Sequence, residues 1–402
     1  MIYLDYNASH PPDKAAVLEA TEIYLQHFGN TSGRSGLSQT AARLLAYHRE
    51  QLAQKLSLNA DRVILTGSAS EANAIVVKMI LQEAKETGQK LLLLHTQLEH
   101  PSVIENMRLA QKSDSENVDL KIISLDEKLQ PDLQDINNSI REHNGIVLLA
   151  IMHAHNETGL LWPLDQYCEA FRENKNVYLL ADASQSIAKM HPAGTPAIPS
   201  NFFSTIYNKR LFISIAGHKF GAGLGGGLLV LPQDDLSAKR EVLRLYGGGN
   251  QEQSLRPGTV NLQAMVSMNL ALQNRFQRNN FITIIQENTR LFEKMLGEKF
   301  SQVAEFEIVA AEYKRLPGTT LVLIPGVSID FLLMGLDRAE IVVSTGTSCK
   351  SNSRTASPGL LAMGYDEEKA LSVIRFSYGE QFTDKIISKT VNTVFDVYKK
   401  LV

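Results

Sequence analysis

From about residue 40 to residue 230, short apolar runs alternate with amphipathic stretches, and this alternation restricts the possible folds more than any other feature. The runs are Arg62–Thr66, Leu91–Thr96, Leu120–Leu125, Ile146–His153, Val177–Ala181 and Gly227–Leu231, separated by helix-like stretches such as Glu71–Thr87, Pro131–Glu142 and Pro163–Asn174. Each run is strand-sized, and those in the middle are apolar throughout, which leaves them no face for solvent. Such strands belong in a mostly parallel sheet covered by helices on both faces. Its polar chemistry then gathers at the carboxyl ends of the strands.

After about residue 262 the pattern changes to a long helical stretch, Leu262–Phe300, followed by the short segments Thr319–Ile324 and Ala339–Ser344. The expected organisation is a large α/β domain over residues 16–261 and a smaller α+β domain of residues 1–15 and 262–402. The smaller domain carries a loop at residues 344–357 dominated by Ser, Thr, Gly and Asn.

Charge and cysteine usage narrow the function classes. Forty Lys and Arg against 43 Asp and Glu leave a formal net charge of -3. No global basic field therefore favours nucleic acid or a membrane surface, and a small substrate is expected. The two cysteines, Cys168 and Cys349, form no CxxC pair, so neither a disulfide framework nor a thiolate metal site is expected, and a reducing, cytoplasmic compartment fits. The N-terminus lacks the basic and apolar regions of a secretory signal, and no apolar run reaches the length of a membrane span.

Seven elements carry candidate chemistry. Lys219, in Ser214-Ile-Ala-Gly-His-Lys-Phe220, stands between an apolar run and a glycine-rich stretch. Low-dielectric surroundings ease loss of its proton and suit Schiff-base chemistry, although such glycines equally mark a turn. Asp182 ends the strand pattern from Val177, where an acid can hold a pyridinium nitrogen protonated or simply cap a helix. Thr66-Gly-Ser-Ala-Ser-Glu-Ala-Asn73 leads from a strand into a helix and suits either a phosphate or a capping box. His100, after Leu91–Thr96, has a side chain suited to stacking on a planar cofactor or moving protons, and also reads as a polar loop residue. Asn156, in Asn156-Glu-Thr-Gly159, offers an amide at the same edge or a turn. Arg375, inside Ile374-Arg-Phe-Ser377, has the fork that matches a carboxylate, a substrate's or that of a structural salt bridge. Cys349 differs from all of these: a cysteine in a polar, glycine-containing loop can serve as a reactive thiol, with Lys350 favouring its thiolate. Cys168 sits in a helix pattern and reads as core.

In order and spacing these elements resemble the cysteine desulfurases, of the fold-type I, class V aminotransferase-like superfamily. The resemblance runs from Tyr3-Leu-Asp-Tyr-Asn-Ala8 to Ile374-Arg-Phe-Ser-Tyr-Gly379. It includes Gly29-Asn30, Glu99-His100, Asn156-Glu-Thr-Gly159, Asp182-Ala-Ser-Gln185, Gly217-His-Lys219, Gln251-Glu252, Arg256-Pro-Gly-Thr259 and Ser344-Thr-Gly-Thr-Ser-Cys349. The long cysteine loop is similar to that of the nitrogenase-maturation and iron–sulfur group. The resemblance implies a mostly parallel seven-stranded sheet and a pyridoxal 5'-phosphate cofactor bound covalently by Lys219. It further implies Asp182 on the pyridine nitrogen, Gln185 and Asn156 on the phenolic oxygen, and His100 over the ring. Ala69, Ser70 and His218 would hold the phosphate, with Thr259 from the other subunit of a homodimer. Arg375 and Asn30 would bind the carboxylate of L-cysteine. Cys349 would take its sulfur as a persulfide, releasing L-alanine and passing the sulfur to an acceptor protein.

Some positions depart from the family pattern. Ala216 stands where a phosphate-binding serine is usual, Ser35 where histidine is common, Ala222-Gly-Leu-Gly225 in place of Gly-Pro-Lys-Gly, and Thr347-Ser348 before Cys349 in place of Ser-Ala. The alternatives are another class V enzyme, such as a selenocysteine lyase or an aminotransferase, and a non-catalytic scaffold of the same fold.

Overall fold

The computed structural model describes residues 1–187, 189, 210–232, 245–278, 280–345 and 355–402. In chain order its elements are β1 (Ile2–Tyr3), α1 (Lys14–Gln26), α2 (Gly36–Lys55), β2 (Val63–Thr66), α3 (Ala69–Thr87), β3 (Lys90–Thr96) and α4 (Pro101–Ser113). There follow β4 (Val118–Ile123), α5 (Leu133–Glu142), β5 (Gly145–Ala150), α6 (Leu164–Ala170), β6 (Val177–Asp182), β7 (Leu211–Ala216) and β8 (Gly227–Val230). Next come α7 (Leu262–Phe276), α8 (Phe281–Lys299), β9 (Glu307–Ile308), β10 (Thr319–Leu323), α9 (Ile329–Arg338) and β11 (Ile341–Val342). The chain closes with α10 (Pro358–Ala362), α11 (Glu367–Leu371), β12 (Val373–Ser377) and α12 (Asp384–Lys399).

Two compact units result. The larger comprises Pro11–His153 and Trp162–Arg278, and the smaller Met1–His10, Ala154–Leu161 and residues 279–402. In the larger unit seven strands form one sheet in the order β2-β8-β7-β6-β5-β3-β4, parallel except for β8, which runs antiparallel to both neighbours. The mostly parallel, seven-stranded sheet expected from the sequence is therefore present. Strands β5, β6 and β7 are buried at every position, as sequences without a polar face require. Helix α3 lays Ile75, Val76, Met79 and Ile80 into a core with Leu91, Leu93, Leu148, Leu180, Phe212 and Leu229.

The division at residue 262 is displaced. Helix α7 packs on α1 and α2, so the larger unit runs on to Arg278. The continuous helix expected over Leu262–Phe300 is instead α7 and α8, with Asn280 in the left-handed region at φ 59°. The smaller unit has a three-stranded antiparallel sheet, β12-β10-β9, and a short parallel pair of β1 and β11. Its core joins Phe292 and Leu296 of α8, and Phe300 just past its end, to Phe376 and to Ile387, Val391 and Val394 of α12. No described helix is long and apolar enough to cross a membrane.

Candidate active site

Strands β2, β3, β5, β6 and β7 point the same way, so the residues that follow them collect at one edge of the sheet. Asp182 ends β6 in register with Ser214 of β7. Its Oδ1 accepts the N–H of Ser184 at 2.9 Å. Past β7 the chain makes one 3₁₀ turn, Gly217–Lys219. Here a glycine is required, because a Cβ at residue 217 would lie 2.9 Å from the Gly226 carbonyl oxygen.

His100 follows β3 and caps α4, with Pro101 opening the first turn. Its Nδ1 accepts the Ser102 N–H at 3.1 Å and lies 2.8 Å from Ser102 Oγ. Asn73 Nδ2 donates to that same oxygen at 2.9 Å, which directs the Ser102 hydroxyl hydrogen toward the imidazole. With Nδ1 accepting, the proton of the neutral ring resides on Nε2. Burial lowers the His100 pKa, Asp182 pulls it up and Lys219 pushes it down. The ring thus feels both residues expected beside it. His218 is pushed down to about 4, by burial first and then by Lys219 and His100, and is neutral at pH 7.

At the end of β2 the capping-box reading is realised. Ser68 caps α3 by accepting the Glu71 N–H at 3.2 Å, and Glu71 in turn accepts the N–H of Gly67. The first-turn N–H groups of Ala69 and Ser70 have no acceptor among the described residues. They form the paired donor set that a phosphate takes at a helix N-terminus. Gly227 of β8 permits this approach, since a Cβ there would fall 2.5 Å from the Ser68 carbonyl carbon. Ala216 is buried and paired with Gly227. Ser35 caps α2 by accepting the Ser38 N–H, a local role for that departure. Asn30 and Thr259 are exposed on the larger unit.

Two residues of this unit carry no separate sequence signal. Glu99 is buried; its Oε1 accepts the Met152 N–H at 2.7 Å and its Oε2 has no hydrogen-bond partner among the described residues. Burial chiefly, and Asp182 in addition, raise its pKa to about 8 against the Met152 bond, so it keeps its proton at neutrality. Lys189, also buried, donates to Gln185 Oε1 at 2.8 Å. Its spacing of four from Gln185 is the only hint in the sequence.

In the smaller unit Arg375 sits on β12, nearly buried. Its Nη2 donates to Asp5 Oδ1 at 2.7 Å and its Nη1 to the Asn156 carbonyl at 2.9 Å, while Nε has no hydrogen-bond partner among the described residues. The salt-bridge reading of Arg375 is therefore realised, with one buried donor to spare. Asn7 Nδ2 donates to the same Asn156 carbonyl and to Thr319 Oγ1, both at 3.0 Å. Asn156 lies in a tight turn that returns to a bridge between Ala154 and Leu161. Within it Gly159 has φ 77°, which favours glycine. Glu157 of that turn accepts the Ser357 hydroxyl at 2.6 Å. Burial pushes its pKa up to about 7, with Ser357 and Arg375 holding it back. His155 is pushed down to about 3 by burial and then by Arg375. Cys349, with Thr347, Ser348 and Lys350, lies outside the described residues. Cys168 is buried in α6, as its helix pattern implies, and burial raises its thiol pKa.

Comparison with known proteins places these parts in context. The aminotransferase class-V family profile matches residues 2–387. The cysteine desulfurase IscS of Pseudoalteromonas translucida is 28% identical, over 97% of this chain and 91% of that protein. A cysteine desulfurase of Nostoc sp. is 26% identical, over 100% of this chain and 94% of that one. In fold, a NifS-like protein from Rickettsia africae superposes with a TM-score of 0.80 at 24% identity, covering 99% of each chain.

Proposed function

This chain belongs to the aminotransferase class-V family, and from that premise we propose that it is a cysteine desulfurase, taking sulfur from L-cysteine onto Cys349 and releasing L-alanine. The observation that carries the proposal is the edge of the larger sheet. There a lysine, an acid, a neutral histidine and an unpaired pair of helix N–H groups follow strands that point the same way.

Enzymes of this family use pyridoxal phosphate, and this chain's residues fit it group by group. Lys219 would bind its aldehyde carbon and Asp182 its ring nitrogen. Gln185 and Asn156 would hold its phenolic oxygen. The Ala69 and Ser70 N–H groups and His218 would hold its phosphate, with Thr259 supplied by the second subunit of a homodimer. When bound, the cofactor supplies an electron sink for bond breaking at the substrate α-carbon. Neutral His218 donates a hydrogen bond without adding charge, and Ala216 donates none. The phosphate grip thus rests mainly on α3.

The remaining roles belong to side chains. Arg375 takes the substrate carboxylate, for which its Nε, without a hydrogen-bond partner among the described residues, is suited. His100 carries its proton on Nε2 and, as a neutral ring, would present it there as a hydrogen-bond donor. Cys349 Sγ attacks the substrate sulfur. As the S–S bond forms, the Cβ–S bond breaks and its electron pair stays on carbon, which takes up a proton to yield L-alanine. The persulfide on Cys349 then passes to an acceptor protein of iron–sulfur assembly or thiolation.

L-alanine release from L-cysteine tests the reading. The wild type should release it, and Lys219→Ala should lose both this release and the visible absorbance of the bound cofactor. Equal alanine release by the two proteins would exclude Lys219 from the reaction.

A further inference from the structure

Glu71 puts a carboxylate where a phosphate site has least use for one. It stands in the first turn of α3, directly after Ala69 and Ser70, and its Oε2 turns back to accept the Gly67 N–H. Left unpaired, that charge would oppose the anion that the Ala69 and Ser70 N–H groups suit. Its other oxygen, Oε1, accepts Arg256 Nε at 3.1 Å, between side chains only 24% and 19% exposed. Among the described residues Arg256 is the one cation within salt-bridge distance of Glu71. The Tyr246 hydroxyl has a single hydrogen and two acceptors in reach, the Pro257 carbonyl at 3.2 Å and the same Glu71 oxygen at 3.4 Å.

Arg256 reaches α3 from a segment that is itself held. In the turn Gln251–Ser254, three successive non-glycine residues, Glu252, Gln253 and Ser254, take left-handed φ values of 46°, 57° and 69°, a conformation that is unfavourable at each of them. The buried Glu252 carboxylate holds this turn in place. Its Oε1 accepts from Arg49 Nη2 at 2.5 Å, and its Oε2 from Arg49 Nη1 at 2.7 Å and from the N–H of Leu65, on the edge strand β2, at 2.6 Å. Leu255 then enters the core that contains Ile75 and Val76 of α3, and Gly258 N donates to Gln251 Oε1 at 3.1 Å. All these residues belong to the larger unit.

We propose that Arg256 is a positioning residue for the cofactor phosphate: by neutralising Glu71 it leaves the first turn of α3 able to receive a doubly charged anion. The inference rests on the pyridoxal-phosphate reading and gives a role to a residue which that reading leaves unused. Arg256 acts through Glu71, so its effect exists only while residue 71 is charged.

The experiment titrates the apoprotein with pyridoxal 5'-phosphate, following the visible absorbance of the bound cofactor, at low and at high salt. It compares wild type, Arg256→Met, Glu71→Gln and the double variant. Methionine keeps an apolar stem and removes the charge. Arg256→Met should weaken binding about 3- to 10-fold at low salt, and by less than about twofold in ~1 M salt, where the Debye length is ~3 Å. Glu71→Gln keeps an acceptor for Gly67 and should bind at least as tightly as the wild type. The double variant should return to within about twofold of wild-type affinity. Should Arg256→Met fail to fold, Arg256→Gln removes the same charge while keeping an N–H for Glu71. Unchanged affinity in the Arg256 variant would overturn the proposal. So would a double variant as weak as Arg256→Met, or a loss that high salt leaves intact, because either would make Arg256 a direct phosphate ligand or a structural brace. Wild-type apoprotein that takes up no pyridoxal phosphate would overturn the cofactor reading and this inference with it, whereas wild-type uptake with no effect of Arg256 overturns the inference alone.

Discussion

Arg375 commits Nη2 to Asp5 and Nη1 to a backbone carbonyl, which fixes the plane of its guanidinium and leaves Nε buried without a hydrogen-bond partner among the described residues. Asp5 is the only one of these acceptors that carries charge. Asp5→Ala should therefore strand a buried cation and cost ~3–5 kcal/mol, measurable by urea unfolding. A loss under 1 kcal/mol would mean that the pair is solvent-screened. Glu99 makes the opposite contribution. Its folded pKa of about 8 stands above its ordinary value of 4.5, so the folded state holds a proton that the unfolded state releases as pH rises between those values. Stability is lost across that window and the loss is complete above it. Glu99→Gln removes this dependence. The variant should melt with the wild type at pH 4 and about 2–5 °C above it at pH 9; parallel curves would refute a protonated Glu99. Both residues fall within motifs that carry the resemblance, yet neither role is legible there, because each is defined by what surrounds it: Asp5 by a residue 370 positions away and Glu99 by burial beside Met152 and Asp182.

At the scale of elements, the strands of the sheet are legible where an apolar run is bounded by polar residues, and β2, β3, β5, β6 and β8 fall within or close to the expected runs. Strand β7 shows only where it runs into Lys219, since its pattern resembles any buried segment. The break between α7 and α8 falls at the polar residues 277–280, which a solvent-facing turn of one long helix would carry equally well, so periodicity alone does not show it; among the described residues there, Asn280 takes the left-handed conformation. The turn at Ala154–Leu161 reads as a loop after β5, yet it packs with the smaller unit through Leu160, Leu161 and Gly159. No local pattern reports such distant pairing. Gly227 offers an element-scale test, since a Cβ there would fall 2.5 Å from the Ser68 carbonyl carbon and 2.8 Å from the Ala69 nitrogen at the N-terminus of α3. Gly227→Val should push α3 out of line and weaken pyridoxal phosphate binding about tenfold or more, equivalent to a clash of ~1–3 kcal/mol. Spectrophotometric titration of the apoprotein with the cofactor measures this. Unaltered affinity would argue against α3 as the main phosphate grip.

Across the whole molecule, the sequence predicts the character of both units better than their limits. A mostly parallel sheet followed by a smaller α+β body follows from the change of pattern at residue 262. The limit itself moves to Arg278, because α7 buries its apolar face against α1 and α2. The candidate site is legible to the same degree. Lys219, Asp182 and His100 can be read from their place after strands, whereas Lys189 and Glu157 depend on contacts made only in the folded chain. The division of labour between Lys219 and Cys349 is the central claim, and it is tested most directly by incubating the protein with one equivalent of L-cysteine and locating the sulfur. The account predicts L-alanine and a matching persulfide on Cys349, with Cys349→Ser retaining the cofactor absorbance but forming no persulfide. Persulfide yield unchanged in Cys349→Ser, or alanine absent from the wild-type reaction, would contradict it.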